Sequence, residues 1–489
     1  MPLGKICLYF CPERREQIVQ LSGVRSGVFL PSKRRAASFL LYPYILIVIA
    51  TLVFGSVFES VYVGFTILVF GSILIACTQK CFNTHIAASA VAFSFVIGTV
   101  VATFMYFGYI ADYGEPFWVP GADDQVYEQV ARHAYDVGYA TVFDMFGSSD
   151  QYVRQHNAKG WVMYIVYLMH LGDGFDGYHS MVPRIINIFF LNIMSLVVVK
   201  CFSGRCKISG KWLACMLLCM GLFPNALAIS SHVYRDTISA FLVVCCYFLA
   251  LDLRGQKHRV AKILLIAVLA YMSYWLRAMN IFFIAGLVVV ALLPGTVKQL
   301  KSNLVILAIV AMAVLVGAAL FALNSELFLG YVTRYGESIA TGESRFVSLI
   351  YGLPLLPFGL PLRVAVYLCS PFYYRVVYDP LSWFSSTECV AHLFVSLGTV
   401  ALVAHYVYIP RGLKADYRTG LGLLVVLVGI CISTSGHRHI MMVYPLLMLL
   451  IMEGWHAVGR VAGAKPLYRA SSYLSAFLIC LLFGAASLL

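Results

Sequence analysis

Charge is what this sequence has least of. Only 12% of its 489 residues are Asp, Glu, Lys or Arg, against about a quarter in a soluble domain. Hydrophobic residues make up 61%, and the mean hydropathy is +0.85. That shortage excludes a water-soluble enzyme. Long polar stretches are also scarce, so no large soluble domain fits between the apolar runs. The first 37 residues lack the short apolar core and small-residue cleavage site of a signal peptide. No cysteine spacing makes a zinc site with nearby histidine, and the 14 cysteines read as small packing residues of spans and basic loops, with Cys369 and Cys389 on the opposite face. Neither low-complexity sequence nor a repeat relating two halves is present, which disfavours the architecture usual in secondary transporters.

What is there is a series of apolar stretches of membrane-crossing length. Thirteen are marked, at about 38–57, 60–78, 86–110, 183–199, 212–231, 237–253, 260–276, 279–296, 303–323, 390–409, 419–434, 440–455 and 471–488. The expected fold class is therefore all-α, a polytopic transmembrane helix bundle. A basic cytoplasmic segment (1–37) precedes one integral membrane domain (38–489). Lys5, Arg14, Arg15, Arg25, Lys33, Arg34 and Arg35 predict a cytoplasmic N-terminus, and alternation then places the C-terminus outside. This assignment sorts charge by side. The inner segments hold 24 of the 35 Lys and Arg and five of the 22 acids, a surplus of +19 against −6 outside. Positive-inside bias thus accounts for the net +13 without nucleic acid.

Two segments break the apolar rhythm, about 111–182 and 324–389, and both fall on the outer side. Loops of that length usually carry function. The first has amphipathic patterns at 125–140 and 160–171, which predict short helices along the membrane surface. Trp118, Trp161 and Trp383 lie in these segments and are expected at the interface.

The chemistry-bearing residues also fall outside. Asp123 and Asp124 open the first loop's amphipathic stretch. A carboxylate there can serve as a general base or bind a divalent cation, and adjacent helical residues do not share a face, so one of the pair should enter a site while the other caps or orients. Asp123 also suits a helix N-cap. Arg184, Arg235, Arg277, Arg345 and Arg438 stand at outer helix ends or in the second loop, against the usual sidedness. Singly they can snorkel to headgroups; together they suit phosphate. Arg235 and Asp236 can instead pair with each other. His232, His437 and His439 read as hydrogen-bonding neighbours rather than metal ligands, and His437 and His439 join the arginines as candidate contacts to substrate phosphate or lipid-linked sugar.

These residues resemble a spaced pattern of the GT-C class of polytopic glycosyltransferases. That class includes protein mannosyltransferases, the aminoarabinose transferases of lipid A, and relatives among O-antigen (Wzy-like) and exopolysaccharide polymerases. The likeness runs from Asp123-Asp124-Gln125-Val126-Tyr127 through Gly160-Trp161 and Leu171-Gly172 to Pro183-Arg184. It continues in Phe223-Pro224-Asn225, Arg235-Asp236, Leu276-Arg277, and Gly436-His437-Arg438 with Tyr444-Pro445, covering about 100–455. Departures are the Asp-Asp pair in place of Asp-Glu, Ala278 where a proline is usual, and two extra leading spans. The resemblance implies a catalytic or metal-positioning role for Asp124, and lipid-linked phosphate contacts for Arg184, Arg277 and Arg438. It implies a bacterial cytoplasmic-membrane enzyme that uses polyprenyl-phosphate- or pyrophosphate-linked sugar, with a glycan or lipid-linked acceptor and polysaccharide-assembly proteins as partners. The alternative is a flippase or other secondary transporter.

Overall fold

A computed structural model describes residues 33–119, 123–150, 158–206, 208–253, 258–294, 352–369, 386–433, 437–459 and 464–486, together with Val153 and Ile350. These residues are 85% helical and include no strand. The predicted span at 303–323, most of the second loop, Arg345, Trp383 and the side chain of His437 lie outside the described residues.

The helices run in chain order as α1 (Lys33–Val57), α2 (Val61–Phe82), α3 (His85–Tyr113), α4 (Asp123–Asp136), α5 (Val142–Phe146) and α6 (Lys159–Gly172). Next come α7 (Met181–Arg205), α8 (Gly210–Gly221), α9 (Pro224–Ser230), α10 (Asp236–Asp252), α11 (Arg259–Leu276) and α12 (Asn280–Leu292). The last are α13 (Leu360–Cys369), α14 (Thr387–Ala404), α15 (Ile409–Ala415), α16 (Tyr417–Ser433), α17 (Ile440–Gly459) and α18 (Ala464–Ala486). Among the described residues six helices are long and apolar enough to cross a membrane, or seven if α8 and α9, bent by 53°, count as one. That bend divides the stretch expected at 212–231, and Pro224 at the start of α9 supplies the reason, since it has no N–H to continue the helix.

Polar residues at the ends, not the apolar middles, set where each helix stops. Ser60 and Thr84 accept from the Val63 and Ala87 amides and so cap α2 and α3. Gly114 ends α3 in a left-handed conformation, φ +77°, that costs a glycine little. Beside Asp416 and Glu453, where α15 lies against α17, close approach depends on small residues: a Cβ on Gly454 would collide with the Tyr408 carbonyl and one on Gly412 with that of Leu450.

Polar side chains tie helix ends into two groups. At one end, Asp176 accepts from the Val61 and Tyr62 amides, Asp112 from the Thr387 amide, and Tyr113 donates to Glu388 at 2.7 Å. At the other, Arg205 on α7 meets Asp416 at 2.7 Å and Glu453 of α17 at 2.6 Å, while Lys262 meets Asp252 at 2.6 Å. The first group collects the ends expected outside, and the second those expected inside.

α4 and α6 differ from helices lying on a surface. They pack against each other, and Trp161 of α6, expected at the interface, is fully buried, its indole N–H donating to the Val233 carbonyl at 3.1 Å. An amphipathic pattern records that one face is apolar, not whether lipid or protein covers it.

Arg205 neutralises two carboxylates of which both are more than 90% buried. Arg205→Ala strands Glu453, whereas Asp416 keeps Arg418 at 3.3 Å, and the expected loss of stability is about 3–5 kcal/mol. A lowered thermal unfolding midpoint in detergent checks this, with partial recovery expected in Arg205→Ala combined with Glu453→Gln.

Candidate functional site

The site is built around α4. Its buried strip is Asp124, Tyr127, Glu128 and Ala131, the i, i+3, i+4, i+7 spacing of one helix face. Asp123 and Asp124 therefore point different ways. Asp124 is fully buried: one oxygen accepts from the neighbouring Gln125 amide at 3.0 Å, and Oδ2 has no hydrogen-bond partner. Burial pushes its carboxyl up from 3.8 to about 6, the positive charge of Arg184 and backbone N–H groups opposing the rise. Asp123 is partly exposed and gives its carboxylate to Arg438. Its side chain bonds across the fold, which differs from a purely local cap.

Arg184, near the start of α7, is fully buried and does not snorkel. Its Nη2 donates to the Pro116 carbonyl, and its guanidinium lies 5.6 Å from the Tyr106 ring centroid and 5.7 Å from that of Phe117. Nε and Nη1 have no hydrogen-bond partner. A guanidinium carries five N–H donors, so those of Nε and Nη1 remain for something else. Buried polar atoms are rarely left unpaired, and here two opposite charges within electrostatic reach both have atoms to spare.

A second group surrounds Asp236 at the start of α10. Asp236 Oδ1 lies 3.1 Å from His439 Nδ1 and 3.6 Å from Arg277 Nη1, and Arg277 Nη2 lies 3.3 Å from His439 Nε2. Arg277 Nη1 also lies 2.8 Å from His439 Nδ1, so the ring nitrogen that faces the Asp236 carboxylate faces a guanidinium donor as well, and no single neutral tautomer serves every contact. Burial and the neighbouring Arg277 push His439 down to about 3, so it is neutral. Arg235 reaches elsewhere than Asp236, donating to the Leu276 carbonyl at 2.8 Å and lying 5.7 Å from the Tyr127 ring centroid.

The segment between α9 and α10 joins the groups. Asn187 of α7 donates to the carbonyls of His232 at 2.9 Å and Tyr234 at 2.8 Å, and Trp161 holds that of Val233 between them. Thus pinned, Tyr234 sets its ring 5.2 Å from the Arg438 guanidinium. His232 bonds Tyr109 at 3.0 Å and the Ala228 carbonyl at 2.8 Å.

The structure thus places Asp124 with Arg184, Asp123 with Arg438, and Arg277 with His439 and Asp236, all at one end of the bundle. Among the described residues no group of three His, Cys, Asp or Glu side chains is placed to hold a metal ion. Sequence reasoning placed Glu128 in the acidic cluster with Asp123 and Asp124 but gave it no role; it is buried one turn beyond Asp124 and accepts from Arg132 at 2.7 Å and Tyr178 at 3.2 Å. The i+4 spacing from Asp124 was the available signal. No protein-family model matches the chain, and neither does any curated protein or solved structure.

An Asp whose carboxyl rises from 3.8 to about 6 on folding favours the fold fully below pH 4. That contribution, about 3 kcal/mol, is lost as pH rises through 6. Asp124→Asn is therefore expected to unfold at a higher temperature than the parent at pH 8 and to lose that advantage near pH 4, as thermal denaturation in detergent at the two pH values would show.

Proposed function

We propose that this protein is a membrane glycosyltransferase of the bacterial cytoplasmic membrane, with about 13 spans, a cytoplasmic N-terminus, an outer C-terminus and a GT-C-like arrangement. It takes sugars linked to polyprenyl phosphate or pyrophosphate on the outer face and assembles or polymerises a surface polysaccharide. The observation that carries the reading is the pairing of a buried carboxylate and a buried guanidinium, each with unpartnered polar atoms, at the charged end of an apolar body.

Such a pair suits the two demands of transfer from a lipid-linked sugar. The acceptor hydroxyl gives its proton to Asp124 as its oxygen bonds to the anomeric carbon. The bond from that carbon to the phosphate oxygen breaks, and the lipid phosphate leaves with the electron pair. Arg184 meets the growing negative charge with its free N–H donors, and Arg438 and Arg277 contribute positive charge nearby. A carboxyl near 6 is ionised at neutral pH yet basic enough to hold the proton in transit.

Asp124→Asn is expected to cut polymer formation by about 10²–10⁴-fold while membrane insertion persists. In the parent, turnover should rise with pH through about 6. Full activity in Asp124→Asn, or a rate flat across that range, overturns Asp124 as base. Arg438→Lys keeps the charge but not the planar contact with Tyr234, and its turnover on purified lipid-linked substrate should fall roughly tenfold or more. A deletion strain should accumulate lipid-linked units on the outer leaflet; accumulation on the inner leaflet would instead identify a flippase.

A further inference from the structure

The bundle end expected inside carries positive charge that its acids do not answer. Its acids among the described residues are Asp252, Asp416 and Glu453, and each already has a cation: Lys262 for Asp252, Arg205 and Arg418 for Asp416, and Arg205 for Glu453. Among the further cations of this end, Arg411 and Lys414 of α15 and Lys465 and Arg469 of α18 make no ion pair among the described residues. Arg411 is half-buried and the other three are exposed.

A lone exposed cation is satisfied by water, but these are brought together. Arg411 Nε donates to the Tyr468 hydroxyl of α18 at 3.0 Å, and Ser472, one turn further on, donates to the Ala404 carbonyl at the end of α14 at 2.7 Å. The Tyr468 ring stacks 5.5 Å from that of Tyr408, which lies 5.8 Å from Trp455 of α17 and 6.1 Å from His405. Arg469 is close enough for its charge to act on the Tyr408 hydroxyl. Within each helix the spacing adds repulsion: Lys414 stands three residues after Arg411, and Arg469 four after Lys465, so like charges are neighbours on both. The donors left over suit an anion. Nη1 and Nη2 of Arg411 carry four N–H groups, and the Tyr468 hydroxyl, accepting from Arg411, keeps its own proton to give. Beyond the cations α18 turns apolar. Lys465, Arg469, Tyr473 and Phe477 recur every fourth residue, an exposed stripe of two cations and then two aromatic rings, with Leu474 and Leu478 exposed beside it. A free phosphate matches only the first half of that stripe; an anionic head with hydrocarbon tails matches both.

We propose that the corner between α15 and α18 binds an anionic phospholipid of the surrounding membrane, its phosphodiester held by Arg411, Lys414, Lys465 and Arg469 and its acyl chains laid along Tyr473 and Phe477. The site belongs to the opposite end of the bundle from Asp124 and Arg184, and it makes no use of sugar transfer.

The test titrates the full chain in detergent with phosphatidylglycerol and with zwitterionic phosphatidylethanolamine and counts the lipids retained by native mass spectrometry. Phosphatidylglycerol should bind roughly tenfold or more tightly. Arg411→Gln with Arg469→Gln should weaken it about fivefold for each charge removed and leave phosphatidylethanolamine unchanged. Lys414→Gln with Lys465→Gln should weaken it as much while keeping the Arg411–Tyr468 bond, so a folding defect in the first pair does not decide the matter. Arg259→Gln, which removes an exposed cation from the start of α11 at the same end, should change neither lipid. Glycerophosphoglycerol, the same head without acyl chains, should compete roughly a hundredfold more weakly than the lipid. Equal binding of the two lipids, or an Arg259→Gln loss as large as that of either pair, reduces the corner to a diffuse positive surface and overturns the proposal. Competition by glycerophosphoglycerol at the lipid's own concentration overturns it in favour of a soluble phosphodiester.

Discussion

Removing a charge from water inside an apolar helix bundle is costly unless another charge or a dipole meets it, and most of this structure's polar architecture answers that demand. The buried ions are not scattered along the helices. They gather at helix ends, where Arg205 serves Asp416 and Glu453, and where Arg277 and His439 serve Asp236. Each grouping joins elements far apart in sequence, so the same contacts that neutralise charge also hold the bundle's ends in register. The interior between them is left to van der Waals packing and close helix approach.

Asp124 and Arg184 stand out against that rule. Both are fully buried and close enough to influence one another, yet a carboxylate oxygen and two guanidinium nitrogens go unpaired among the described residues. The surroundings keep them so. Aromatic rings of Tyr106 and Phe117 flank the guanidinium, and Pro116 offers it a single carbonyl.

Positioning comes from elements that carry no charge. Asn187 and Trp161 hold three successive carbonyls of the segment before α10, which presents Tyr234 to Arg438 on one side and places Asp236 beside Arg277 on the other. α4 performs the complementary task. Its helical period sends Asp123 outward to Arg438 and Asp124 inward towards Arg184, so two adjacent aspartates engage different arginines. The backbone period does the sorting.

Composition and the length of the apolar runs were enough to anticipate an all-helical protein whose described residues include helices long and apolar enough to cross a membrane, because burying a backbone in lipid leaves the helix as the economical way to satisfy every amide. Charge sidedness marked which residues deserved notice, and Asp123, Asp124, Arg184, Arg277 and Arg438 were legible on that ground. Their partners were not. That Arg235 bonds a carbonyl instead of Asp236, that Trp161 lies in the core instead of the interface, and that Glu128 is buried against Tyr178 depend on which helices meet. Periodicity tells a residue's direction about its own axis and says nothing of what stands opposite. Only the packing of α4, α6, α7 and the segment before α10 decided that, since contact between residues a hundred positions apart is a property of the assembled bundle.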